Sequence, residues 1–280
     1  MATRATVERA GVRLSVEEAG EGIPVVLLHG LTATRRYVVM GSRALERSGH
    51  RVIGYDARGH GRSTPAPAPD AYGYDELAAD LAAVLDELEV GRAVLAGASM
   101  GAHTALRFAL DAPERVAALV AITPGFDPQT ADDPDRLARW DALAAGLREG
   151  GVEGFVAAYG EPAVPARWLD TVRQVLRQRL SAHEHPDAVA DALLVVPRSH
   201  PFGGIDDLRA IDAPVVVVAS RDEADPGHPF ALAEAYADAL PGARLVVEEE
   251  GQSPLAWQGG RLSAVIGDAA SQAARSGLVR

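Results

Sequence analysis

Six short apolar runs constrain this chain more than any other feature. They are "PVVLLHG" at 24–30, "RVIGYD" at 51–56, "AVLAGAS" at 93–99, "VAALVAIT" at 116–123, "PVVVVAS" at 214–220 and "ARLVVEE" at 243–249. A strand with one wet face alternates apolar and polar side chains, so runs that do not alternate must be covered on both faces. Between them, 74–89, 100–111, 229–240 and 258–273 have helical length and spacing. Strands and helices that alternate in this way predict a parallel sheet joined by helical crossovers. "TVERAGVRLSVEEAG", ahead of the first buried run, alternates around a Gly turn and predicts an opening antiparallel hairpin.

One interval breaks this rhythm. From Gly125 to about Gly204 no buried strand is evident, and "PDRLARWDALAAGLREGG", "GVEGFVAAYG" and "ARWLDTVRQVLRQRL" have the spacing of amphipathic helices punctuated by Pro and Gly. We read residues 125–204 as a helical lid inserted into a core made of 1–124 and 205–280, the alternative being ordinary crossover helices.

Composition narrows the chemistry. The chain has 280 residues, 48% of them hydrophobic, enough for one large domain with an insertion. A formal charge of −12, from acidic residues spread along the chain, argues against nucleic acid or an anionic membrane as partner. With no cysteine there is no disulfide or thiolate chemistry, and with arginine as the only strong base there is no Schiff-base lysine. The apolar runs fall far short of the ~20 residues that span a bilayer, and the N-terminus lacks a signal-peptide pattern, so a cytoplasmic setting is expected.

The sharpest motif is "LAGASMGA", where Gly97, Ser99 and Gly101 stand in G-x-S-x-G spacing between a buried strand and a helix. That is the context of a nucleophile elbow, in which small neighbours allow a serine to project from a strained strand-to-helix turn. In "VVLLHGLTATRR" a strand ends at His29-Gly30, and the N–H groups of Leu31 and Met100 would pair as donors for a developing oxyanion. His29 reads as a structural residue rather than a base. "YDARGHGRS", at 55–63, follows the next strand.

With "HG", D-x-R-G-x-G-x-S and G-x-S-x-G in this order, the chain resembles the α/β-hydrolase superfamily, specifically its lid-bearing esterase, lactonase and epoxide-hydrolase-like branch. The resemblance runs from about residue 20 to 270 and is weak through the insertion. It implies an α/β-hydrolase fold, a mostly parallel twisted sheet with helices on both faces and a helical lid. It also implies that Asp56 and Arg58 organise loops, and that the acid follows "PVVVVAS". Asp222 and Asp225 both fit; Asp222, nearer the strand end, is preferred, and Asp225 would then cap the next helix.

The family's histidine belongs in the loop after the last strand. Here "EEEGQSPL" puts Gln252 in that slot, and glutamine has no proton that titrates near neutral pH. Three accounts remain. His228, in "DPGHP", reaches Ser99 as a replacement base; His200 or His60 faces the pocket instead; or the scaffold has left triad hydrolysis and serves as a lyase, cyclase, isomerase or ligand-binding protein. His103 is expected to pack within the elbow helix, and His183 and His185 to form a solvated helix end.

The reading is therefore a serine-dependent hydrolase of a small apolar ester, lactone or related carbonyl, with Ser99 as nucleophile, Asp222 as acid and His228 as base. Phe126, Trp140, Phe155, Tyr159, Trp168 and Phe202 are candidate pocket walls or lid packing, beside His29 and His200. Epoxide hydrolases and haloalkane dehalogenases carry aspartate where this chain has Ser99. No metal or organic cofactor is called for. The expected partner is a small-molecule substrate, and the apolar lid leaves a homodimer contact open.

Overall fold

The computed structural model describes residues 2–221, 225 and 227–279. In chain order the elements are β1 (Thr3–Arg9), β2 (Val12–Ala19), β3 (Ile23–Leu28), α1 (Ala44–Arg47), β4 (His50–Tyr55), α2 (Tyr74–Glu87), β5 (Ala93–Ala98), α3 (Met100–Asp111), β6 (Val116–Ile122), α4 (Pro134–Tyr159), α5 (Ala166–Leu180), α6 (Pro186–Val195), β7 (Val215–Val218), α7 (Phe230–Ala239), β8 (Arg244–Val246) and α8 (Gly259–Arg275). The strands form one eight-stranded sheet in the order β1-β2-β4-β3-β5-β6-β7-β8. Only the β1–β2 and β2–β4 pairs are antiparallel; the remaining pairs are parallel.

The unbroken apolar runs are explained by the two cores they serve. Successive strand residues point to opposite faces, so Leu95, Leu119 and Val217 join Leu81 and Leu85 of α2, Leu106 of α3 and Tyr236 of α7. Their neighbours Val94, Val120 and Val218 join Leu262, Ile266 and Ala270 of α8 on the other side. Each such buried Val or Leu contributes roughly 1.5–3 kcal/mol. That two-sided packing makes the carboxyl ends of β3, β5, β6 and β7 a firm platform for the loops that leave them.

Between β6 and β7 the chain makes α4, α5 and α6. Asp133 caps α4 by accepting from the N–H groups of Asp135 and Arg136 at 2.8 and 2.9 Å, and Gly151, at φ 58°, kinks it where two separate helices were expected. α6 is an element that the spacing does not predict: Ala188, Val189, Ala190, Ala192 and Leu193 are all buried, and Asp187 and Asp191 alone mark its polar side. Together with Ala144, Leu147, Phe155 and Leu180, Val189, Ala190 and Leu193 form a small core of the insertion's own.

Candidate active site

Ser99 caps α3 with φ 50° and ψ −113°, a strained conformation for any residue but glycine. The flanking glycines are dictated by contact. A Cβ on Gly97 would lie 2.2 Å from the Gly101 carbonyl oxygen, and one on Gly101 would lie 2.2 Å from that of Leu28. The turn is held by Ser99 N–H donating to Ile122 O at 2.9 Å, which ties the elbow to β6.

His228 stands directly at this serine. Its Nε2 is 2.9 Å from Ser99 Oγ, and its Nδ1 is 2.8 Å from Asp225 Oδ1. An ionised carboxylate only accepts, so Nδ1 carries the proton and Nε2 is free to accept from the hydroxyl. Burial pushes the His228 imidazole down, but the charge and hydrogen bond of Asp225 outweigh it and its pKa is raised above 6.5. Burial pushes Asp225 up, while His228 and the nearby Arg179 guanidinium pull harder and hold it below the ordinary 3.8. Asp222, the preferred acid, lies outside the described residues; the carboxylate brought to His228 is Asp225.

Gly125 makes room for this imidazole, since a Cβ there would meet His228 Cδ2 at 2.7 Å. The turn that carries Gly125 is fixed by His103. Its Nε2 accepts from the N–H groups of Gly125 and Phe126, both at 3.0 Å, and its Nδ1 lies 3.0 Å from the Tyr74 hydroxyl. Burial pushes the His103 pKa down to about 3, so it is a neutral strut. Sequence reasoning saw His103 packing in the elbow helix but not its hold on residue 125.

On the opposite side of Ser99, a Cβ at Gly30 would approach Ser99 Cβ at 3.5 Å. Among the described residues neither the Leu31 nor the Met100 N–H donates to a protein acceptor. Both are available to a ligand oxygen, and Met100 heads a 12-residue helix whose dipole favours negative charge there.

Comparisons with known proteins agree with this architecture. Residues 23–252 match the family model for the alpha/beta hydrolase fold. RutD of Variovorax paradoxus (strain S110), a carbamate hydrolase by name, is 32% identical over 211 residues, covering 75% of this chain and 77% of its own. A thermophilic esterase from Thermogutta terrifontis, solved with malate bound, is 27% identical with a TM-score of 0.80 and covers 97% of this chain and 99% of its own. Est816, described as an N-acyl homoserine lactone degrading enzyme, is 30% identical with a TM-score of 0.73, covering 94% and 97%.

The chain belongs to the α/β-hydrolase family.

Within this hydrolase no hydrogen bond joins Gln252 to Ser99 among the described residues. Gln252 is exposed, and its Oε1 accepts from Arg261 Nη1. His29 is buried, with Nε2 accepting from Ala57 N–H at 2.9 Å and Nδ1 facing Gly30 O at 2.9 Å, as a structural residue would be. His60, the alternative base, is buried between the rings of His29 and His183, and desolvation holds its pKa well below 6.5. His200, the other alternative, pairs with Asp132 Oδ1 at 3.2 Å. Of the aromatic candidates, Phe126 and Phe202 pack edge to face in the core, Phe155 and the half-buried Trp140 belong to the insertion's core, Trp168 packs on Trp257, and Tyr159 is 41% exposed.

Two expectations about the loops need comment. Asp56 and Arg58 do organise their surroundings: Arg58 forks onto Asp80 at 2.8 and 2.7 Å, and Asp56 takes Arg35 and the Arg62 N–H. His183, expected in a solvated helix end, is instead turned inward. Its Nδ1 accepts from Gly61 N–H at 2.8 Å and its Nε2 donates to Thr32 O at 3.0 Å, because a neutral imidazole can satisfy both backbone groups at once. Among the described residues there is no His, Asp and Glu grouping that could hold a metal, and no helix long and apolar enough to cross a membrane.

Proposed function

We propose that this hydrolase cleaves small carboxylic esters or lactones through a Ser99–His228–Asp225 triad, with the Leu31 and Met100 N–H groups as oxyanion donors and the helices between β6 and β7 as a lid. The observation that carries the reading is the continuous hydrogen-bonded line from Asp225 through His228 to Ser99 Oγ, at 2.8 and 2.9 Å. In this line His228 Nε2 takes the proton as Ser99 Oγ attacks the acyl carbon, and the Leu31 and Met100 N–H groups meet the developing oxyanion. His228 then gives the proton to the leaving oxygen. A water activated in the same way breaks the acyl-serine and returns the proton to Ser99.

The lyase, cyclase and binding readings rest on a site without a base, and the position of His228 supports hydrolysis over them. A base in a triad is worth about 4–8 kcal/mol of barrier, judging by rate losses of roughly 10³–10⁶ on its removal. The test is labelling by a fluorophosphonate across pH 5 to 9, with Ser99→Ala as control. Fast labelling that depends on Ser99 and falls as acid protonates His228 is expected; labelling no faster than the control overturns the reading.

A further inference from the structure

Arg179, near the end of α5, is the feature of the site that triad chemistry leaves unused. Its Nη2 donates to Leu31 O at 3.0 Å and to Thr32 Oγ1 at 2.9 Å, so the guanidinium is hydrogen-bonded to the very residue whose N–H is the proposed oxyanion donor. Its Nε is fully buried with no hydrogen-bond partner. Among the described residues no carboxylate comes within ion-pairing distance of it, although this chain's arginines otherwise pair freely with Asp and Glu. Burial lowers the Arg179 pKa, and the field of Asp225 only partly offsets that. The positive charge of Arg179 in turn lowers the proton affinity of both Asp225 and His228, while its hydrogen bonds hold it on the Leu31–Thr32 loop beside Ser99.

A buried guanidinium with an unused donor is unfavourable unless something completes it. A purely structural strut would need only the two Nη2 bonds, which a neutral amide could make without burying a charge. We infer that Arg179 receives a carboxylate of the substrate, making this a hydrolase of esters or lactones that carry an acidic group a few atoms from the scissile carbonyl. The inference rests on the hydrolase reading above and adds the charge of the substrate. Arginine suits the task because its fixed fork and permanent charge give short, directional bonds to carboxylates.

The test uses two matched pairs, so that an acid on either side of the ester is covered: mono-4-nitrophenyl glutarate against 4-nitrophenyl butyrate, and 4-acetoxybenzoate against phenyl acetate. In one pair at least, the unmodified protein should favour the acidic ester in kcat/KM by about 10- to 100-fold, the scale of one hydrogen bond to a charged group. Arg179→Met should shrink that ratio by a similar factor, whatever it does to the absolute rates through Leu31. Should Arg179→Met fail to fold, the unmodified protein still decides, because glutarate should slow fluorophosphonate labelling of Ser99 where 1,5-pentanediol does not. Turnover of both members of each pair at equal efficiency, or an unchanged ratio in Arg179→Met, overturns the inference and leaves the serine hydrolase intact. Absence of turnover together with absence of Ser99 labelling overturns the hydrolase reading and this inference with it.

Discussion

Two loops leave adjacent strands at the same end of the sheet, and they have exchanged duties relative to the pattern the motifs imply. The loop after β7 carries Asp225 and His228, both turned inward toward Ser99. The loop after β8 carries the slot where a histidine is expected, and its tip, Gly251-Gln252, is exposed, with Gly251 at φ 77°. What the second loop does instead is structural. Buried Glu248 accepts from Ser220 Oγ at 3.0 Å and from the N–H groups of Arg221 and Leu255 at 2.6 and 3.1 Å, binding the end of β7 to the start of the next turn. The comparison teaches that a base is defined by where its nitrogen arrives. Two strand ends that lie side by side can each deliver one.

The largest expected effect separates the loops outright. His228→Ala should lower the Ser99 labelling rate by about 10³-fold or more, as loss of a triad base does, whereas Gln252→Ala should change it less than about 2-fold, as exposed substitutions do. Equal losses in the two variants, read in one labelling assay, would break the comparison.

Asp225→Asn comes next, with a loss of about 10²–10⁴-fold in kcat. It also carries a pH signature. In the proposed triad the working base is neutral His228, whose folded pKa is raised, so activity is expected above that pKa and should be lost as pH falls through it. Because Asp225 is what raises it, Asp225→Asn should move the acidic limb of the pH–rate profile to lower pH. An unmoved limb would show that Asp225 does not act on the base.

Gly125→Ala sharpens the same point from beneath. The added methyl would meet His228 at 2.7 Å, so the imidazole must shift. We expect kcat to fall by about 10- to 100-fold, since misplacing a reacting group by about an ångström has that cost; thermal unfolding should move little. A wild-type kcat in this variant would mean that the position of the imidazole against Gly125 does not matter to the reaction.

The smallest effect on chemistry belongs to the structural loop. Glu248→Ala strands buried donors and should cost about 1–3 kcal/mol of stability, read as a lower Tm, with the acidic limb of the pH profile unmoved. A shifted limb would mean that the β8 loop still tunes the base.

Some of this was legible from residues alone because the physics is local. G-x-S-x-G reads as an elbow since Gly97 and Gly101 are excluded from bearing a Cβ by atoms of the adjoining turn and strand. The buried strands read as strands since each must present apolar groups to two cores. The D-x-R-G-x-G run reads as a loop organiser since Gly61 must clear Asp56, where a Cβ would approach within 2.3 Å. By contrast α6 is hidden by being short and largely apolar, with Asp187 and Asp191 its only charged residues, and His183 by sitting in a polar stretch that reads as surface.

The amino-acid sequence by itself determined the fold class, the strand-to-helix turn that carries Ser99 and the absence of a histidine after the last strand. Only the tertiary structure decided which histidine stands at Ser99, 129 residues away along the chain, and that Asp225 lies against it. It alone brought Arg179 and His183 of the insertion onto the loop at Leu31 and Thr32, across about 150 residues of chain, as their separations of 148 and 151 record. The physical reason is range. A turn's conformation is set by contacts a few residues apart, whereas a side chain's partner across the sheet depends on packing that no local spacing encodes.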